Sequence, residues 1–112
     1  YGDGAFGYSL IEFDSFVRHK IPVIAIIGND ASWAQIARDQ VDILGSSIST
    51  DLSYTDYHKA VEGLGGKGYL IDDINQLKDT IKSAKENAKN GIPVAINVKI
   101  GKTDFRKGSI SM

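Results

Sequence analysis

The sequence contains no cysteine, which excludes disulfides, thiolate metal sites and a cysteine nucleophile, and is compatible with any redox compartment. Neither sign of charge dominates. Thirteen basic residues meet fourteen acidic ones and the net charge is −1, so no footprint for nucleic acid or an acidic polymer is present. No apolar run approaches the roughly 18 to 20 residues that a membrane-crossing helix needs. Asn-x-Ser/Thr is also missing, and there is no internal repeat or low-complexity tract. What is there is a chain of 112 residues, 42% of them hydrophobic, enough for one small globular domain. It opens on Tyr1 rather than methionine, which predicts a piece of something longer.

Hydrophobic spacing predicts the elements. Phe6, Leu10, Phe13 and Val17 recur on one helical face, so residues 6–20 read as an amphipathic helix that Ile21-Pro22 ends. Residues 23–27 are a short, mostly β-branched run, the pattern of a strand covered on both faces. A short helix is predicted over 33–38, and the Ser- and Gly-rich residues 41–53 read as a loop. Thr55 is placed to cap a helix carrying Tyr57, Ala60, Val61 and Leu64 inward, stopped by Gly65-Gly66. Residues 69–71 form a second strand. A helix starting at Asp72 or Asp73 then turns Ile74, Leu77, Ile81, Ala84 and Ala88 inward, with Lys78, Lys82, Lys85 and Lys89 on its outer face, until Asn90-Gly91. Residues 93–100 are the third strand, followed by a polar tail. Strands alternating with helices over short connections imply an α/β fold, a parallel sheet with helices on both faces.

Two short stretches carry chemistry. Gly2-Asp3-Gly4-Ala5 precedes the first helix, where small residues allow close approach of a ligand and free amides suit phosphate. A carboxylate in such a loop repels an anion unless a divalent cation lies between them, and Mg²⁺ is commonly held by one or two carboxylates plus substrate phosphates. The second stretch, "IIGNDASW" from Ile26, breaks an apolar run on Asn29-Asp30, beyond the carboxyl end of a strand, where parallel sheets bind ligands. Asp3 and Asp30 then stand at neighbouring strand ends, provided a strand precedes Gly2. Either stretch alone is as well explained by a turn or a helix cap.

Together they resemble the signature of thiamine diphosphate enzymes, Gly-Asp-Gly followed some two dozen residues later by Asn-Asn. "GDGAFGYSLIEFDSFVRHKIPVIAIIGNDASW" is similar to the cofactor-binding segment of the acetolactate synthase group, which includes oxalyl-CoA decarboxylase, 2-hydroxyacyl-CoA lyases and benzaldehyde lyase. "DYHKAVEGLGGKG", "GIPVAINVKI" and the ending "GKTDFRKGSISM" resemble the C-terminal portion of the acetolactate synthase-like 2-hydroxyacyl-CoA lyases of animals.

The resemblance implies a truncated thiamine diphosphate-binding (diphosphate) domain over residues 1–112, with N-terminal strands and other domains of the enzyme missing. It implies thiamine diphosphate and Mg²⁺ as cofactors. The implied cofactor-binding residues are Gly2, Asp3, Gly4 and Ala5, then Asn29, Asp30, Ala31, Ser32 and Trp33. Asp3, Asp30 and the Ser32 carbonyl take the metal-ligand places, and the backbone of Gly4 and Ala5 meets the diphosphate. Asp30 departs from the usual asparagine, so two carboxylates neutralise the metal before the diphosphate arrives. The alternative is Asn29 as ligand with Asp30 bonding loop amides. No catalytic residue is expected in the chain: the activating glutamate belongs to a missing pyrimidine-binding domain, across a homodimer or homotetramer interface. Glu12, mid-helix, does not match it.

The implied activity is carbon–carbon cleavage of a 2-hydroxyacyl-CoA to an aldehyde and formyl-CoA. The alternatives are acetolactate synthesis from 2-oxo acids and a non-catalytic, flavodoxin-type phosphate-binding module. Location is not encoded in these residues; the resemblance suggests the endoplasmic reticulum membrane, through a missing N-terminal segment. Of the remaining candidates, His19 reads as a favourable cation at a helix end and His58 as an ordinary surface histidine. Trp33 reads first as core packing, with a place beside cofactor or partner as the alternative. Phe105 and Arg106 lie on a tail that could close over a site.

Overall fold

The last strand among the described residues lies at the centre of the sheet. The computed structural model describes residues 1–102. They form α1 (Asp3–Ser9), α2 (Glu12–Arg18), β1 (Ile24–Asn29), α3 (Ala34–Leu44), α4 (Tyr57–Gly63), β2 (Lys67–Ile71), a 3-10 turn (Ile74–Gln76), α5 (Leu77–Lys89) and β3 (Val94–Lys99). The strands are all parallel, in the order β1-β3-β2, with Ile24 and Lys67 both paired to Val94. Flanked on both sides, β3 is buried continuously from Val94 to Asn97.

Helices cover both faces, as the pattern predicts. On one face Phe6, Phe13, Tyr57 and Val61 from α1, α2 and α4 pack on Ala25, Ile27 and Ala95. Phe6 meets Phe13 and Tyr57 edge-on, with centroids at 5.9 and 5.4 Å. On the other face Ala84, with Leu77 and Ile81, covers Ile71, Val94 and Ile96. The lysine row of α5 is exposed as expected. Ile74 is not part of the inner stripe. Asp73 caps the chain early, accepting the Asn75 amide at 2.9 Å while the Gln76 side chain accepts the Asp73 amide, so Ile74 sits in the exposed 3-10 turn.

Other boundaries move for local reasons. The first helix starts at Asp3 and is pinched at Leu10 and Ile11, where the amides of Phe13 and Asp14 reach back only three residues. The helix predicted over 33–38 continues to Leu44 and ends at Gly45, whose φ of +65° lets its amide return to the Val41 carbonyl. The loop therefore begins later than residue 41. Asp56, not Thr55, precedes α4; the Thr55 hydroxyl donates to the Ser53 carbonyl instead.

One correction bears on the whole sheet. β1, expected to be covered on both faces, alternates: Ala25, Ile27 and Asn29 point inward, while Ile24 and Ile26 point to a face that α5 leaves largely bare. Residues 103–112, with Phe105 and Arg106, lie outside the described residues. Among those described, no helix is long and apolar enough to cross a membrane.

Candidate functional site

Tyr1 and Gly2 run along the free edge of β1. The Tyr1 nitrogen donates to the Ile26 carbonyl, the Gly28 amide donates to the Tyr1 carbonyl, each at 2.8 Å, and Gly2 bridges Gly28 in the parallel sense. Asp3 and Asp30 thus follow neighbouring extended segments, as the sequence predicts. Beyond these ends lies a cavity of about 470 Å³. Gly2, Asp3, Gly4 and Ala5 line it from one segment and Asp30, Ser32 and Trp33 from the other, with Ile36 and Ile100 also in its lining.

Asp3, the first residue of α1, is 1% exposed, and its Oδ2 has no hydrogen-bond partner. Burial pushes its carboxyl above the ordinary 3.8 and the charge of Asp30 adds to the rise, against the pull of the amides of Asp3, Gly4 and Ser32. The hydroxyl of Ser32 is likewise buried and unpartnered. An unsatisfied buried acceptor costs about 1–3 kcal/mol, so two of them at one cavity mark a place built for something else. Tyr57, behind this segment against Phe6, has its hydroxyl pKa raised by burial and then by the Asp3 charge.

Asn29 and Ala31 do not line the cavity. Asn29 is fully buried: its amide nitrogen donates to the Thr55 carbonyl and to Asn97 Oδ1, both at 3.2 Å, and its Oδ1 accepts the Ala31 amide at 3.2 Å. Ala31 holds a left-handed φ of +55°. The following residues are braced by the loop after α3, where the Trp33 amide donates to the Thr50 carbonyl and the Leu52 amide to the Ala31 carbonyl, each at 2.8 Å.

Trp33 belongs neither to the core nor to open surface. It is half-buried and lies flat on Gly4, where a Cβ would come within 2.7–2.9 Å of the indole ring, and it stands 5.6 Å from Tyr8. His19 is exposed at the end of α2, as expected. His58 is a correction: it is buried, 3.4 Å from Asn97 Nδ2 through its Nδ1. Asn97 escaped the sequence reading altogether. The available signal was an asparagine in the middle of the apolar run "VAINV", where a buried amide demands partners.

The donor set is hard oxygen, two carboxylates and a backbone segment, and among the described residues no group of three or more acidic, histidine or cysteine side chains forms a complete cage. Such a set suits a hard divalent cation whose remaining ligands are phosphate or water, and the unpartnered Asp3 oxygen is free to serve as one of its ligands. A parallel α/β domain with a glycine-lined loop and paired carboxylates at its strand ends is of the class that binds ligands beyond the carboxyl ends of its strands.

Within that class, the chain belongs to the family described as thiamine pyrophosphate enzyme, C-terminal TPP binding domain, which matches residues 1–103. It is 58% identical to 2-hydroxyacyl-CoA lyase 2 of Bos taurus and 56% identical to that of Homo sapiens, over the whole of this chain and 18% of each relative. It is 35% identical to an acetolactate synthase large subunit of Mycobacterium tuberculosis, over 87% of this chain and 17% of that one. The chain thus spans about a fifth of the length of the curated relatives it matches. Among solved structures, benzoylformate decarboxylase of Polynucleobacter necessarius shares the fold with a TM-score of 0.82 at 21% identity, covering 92% of this chain and 19% of that one. Family membership decides against a flavodoxin-type module and makes thiamine diphosphate the cofactor.

Proposed function

We propose that this domain holds Mg²⁺ between Asp3 and Asp30, with the Ser32 carbonyl as a further ligand, and that the metal anchors the cofactor's diphosphate against the Gly4–Ala5 backbone. The observation that carries this reading is the unpartnered, buried Oδ2 of Asp3 at a cavity it shares with Asp30. Asn29, whose side-chain donors and acceptor are all engaged within the fold, serves the loop and not the metal. When bound, the cofactor supplies the carbanion-stabilising chemistry of carbon–carbon cleavage. This chain's residues bind and orient it. The group that activates it belongs to a pyrimidine-binding domain outside this chain, contributed across a homodimer or homotetramer interface.

The reaction of the full-length enzyme is cleavage of a 2-hydroxyacyl-CoA to an aldehyde and formyl-CoA, a reading supported by the 58% identity to a 2-hydroxyacyl-CoA lyase against 35% to an acetolactate synthase. Asp30→Ala in the full-length enzyme is expected to abolish Mg²⁺-dependent retention of thiamine diphosphate. Unchanged affinity by fluorescence titration would refute the assignment of Asp30. Incubation with a 2-hydroxyacyl-CoA and, separately, with pyruvate tests the substrate. Acetolactate from pyruvate, with the acyl-CoA untouched, would replace lyase by synthase.

A further inference from the structure

We propose that Asn97, which does not line the cavity, is a positioning residue for the turn that carries Asp30 and Ser32. The proposal rests on the reading of Asp30 as a metal ligand given above. Its starting point is Ala31, whose φ of +55° is a conformation an alanine adopts only when its surroundings impose it. The imposition comes from two sides. The Leu52 amide donates to the Ala31 carbonyl at 2.8 Å, and the Ala31 amide donates to Asn29 Oδ1 at 3.2 Å. Because Ala31 turns back in this way, both of its neighbours, Asp30 and Ser32, face the cavity while Ala31 does not.

Asn29 can present its oxygen to Ala31 only if its amide group is prevented from rotating. Its two amide hydrogens are taken by the Thr55 carbonyl and Asn97 Oδ1. Asn97 is itself pinned, its amide nitrogen donating to the Thr55 carbonyl at 3.0 Å and facing His58 Nδ1 at 3.4 Å. Asn97 is 0% exposed and its bond to Asn29 is buried, so that bond does not compete with water. The chain of contacts therefore runs from β3 and the entry of α4, through Asn29, to the turn.

The test uses the full-length protein. Thiamine diphosphate retention is measured by equilibrium dialysis as a function of Mg²⁺ concentration, with melting temperature recorded in parallel. Asn97→Leu removes the acceptor for Asn29 and is expected to raise the half-saturating Mg²⁺ concentration at least tenfold. Asn97→Asp keeps that acceptor but sets a charge against the Thr55 carbonyl. It is expected to melt as low as the leucine variant yet hold its half-saturation within threefold of wild type. A folded leucine variant with the wild-type value, or an aspartate variant as impaired as leucine, would overturn the proposal. Should both variants fail to fold, Ala31→Gly loosens the same turn at a position glycine tolerates. A rise of threefold or more without a lowered melting temperature supports the proposal; an unchanged half-saturation sinks it. If wild type itself retains the cofactor without Mg²⁺, the metal reading fails first and this inference falls with it, a result told apart because no variant is needed to see it.

Discussion

Asp3 carries the cost of a buried, unpartnered oxygen. Its carboxyl is buried without a partner for Oδ2, and burial followed by the Asp30 charge raises its pKa above the ordinary 3.8. A raised acid pKa means that the folded state holds its proton to higher pH than the unfolded chain does. Stability from this group therefore falls as pH rises from about 3.8 through the folded value, and stays lost above it. Asp3→Asn should then stabilise the metal-free 112-residue chain at neutral pH by about 1 kcal/mol, with the advantage vanishing below the ordinary carboxyl range. Urea unfolding at a series of pH values checks this, and an equal or less stable variant at neutral pH would contradict it. Asp3 and Asp30 were legible because glycine and asparagine neighbours mark them in the sequence. Asn97 and His58 were not: a single polar residue in an apolar strand or helix shows its partners only when residues 55, 58, 29 and 97 are brought together.

Among the elements, β1 shows how one apolar run divides into two kinds of residue. Ile26 and Ile27 are adjacent and chemically identical, yet Ile27 is 0% exposed beneath α1 and α4 while Ile26 is 48% exposed. Ile27→Ala should cost about 2–5 kcal/mol by leaving a cavity in a closed core. Ile26→Ala should cost under about 1 kcal/mol, since little apolar area is withdrawn from water there. Thermal melts of the two variants measure the difference, and equal costs would show that β1 is covered on both faces after all. The helix α3 has the same character. Its apolar residues Ile36, Ile43 and Leu44 stand in solvent and none of its residues is buried, so packing against the core does not set where it ends. Gly45 ends it by backbone geometry alone.

For the molecule as a whole, these bare surfaces have a consequence. Ile24 and Ile26 on the sheet, and Ile43 and Leu44 on α3, leave apolar area that a globular chain normally covers. The 112-residue chain by itself is expected to associate, with a weight-average mass in sedimentation that rises with concentration above 12.1 kDa and a broad thermal transition. A monomer with a sharp melt would contradict this. The sequence alone was enough for the alternation of helices and strands, their parallel arrangement and the two acidic stretches, because hydrophobic period, glycine and proline act over a few residues at a time. Folding in three dimensions was needed to make β3 the central strand, to strip one face of β1, to draw Asn29 inward and leave Asp30 at the cavity, and to bury His58. Those outcomes depend on which distant segments share a face, and no local pattern of residues carries that information.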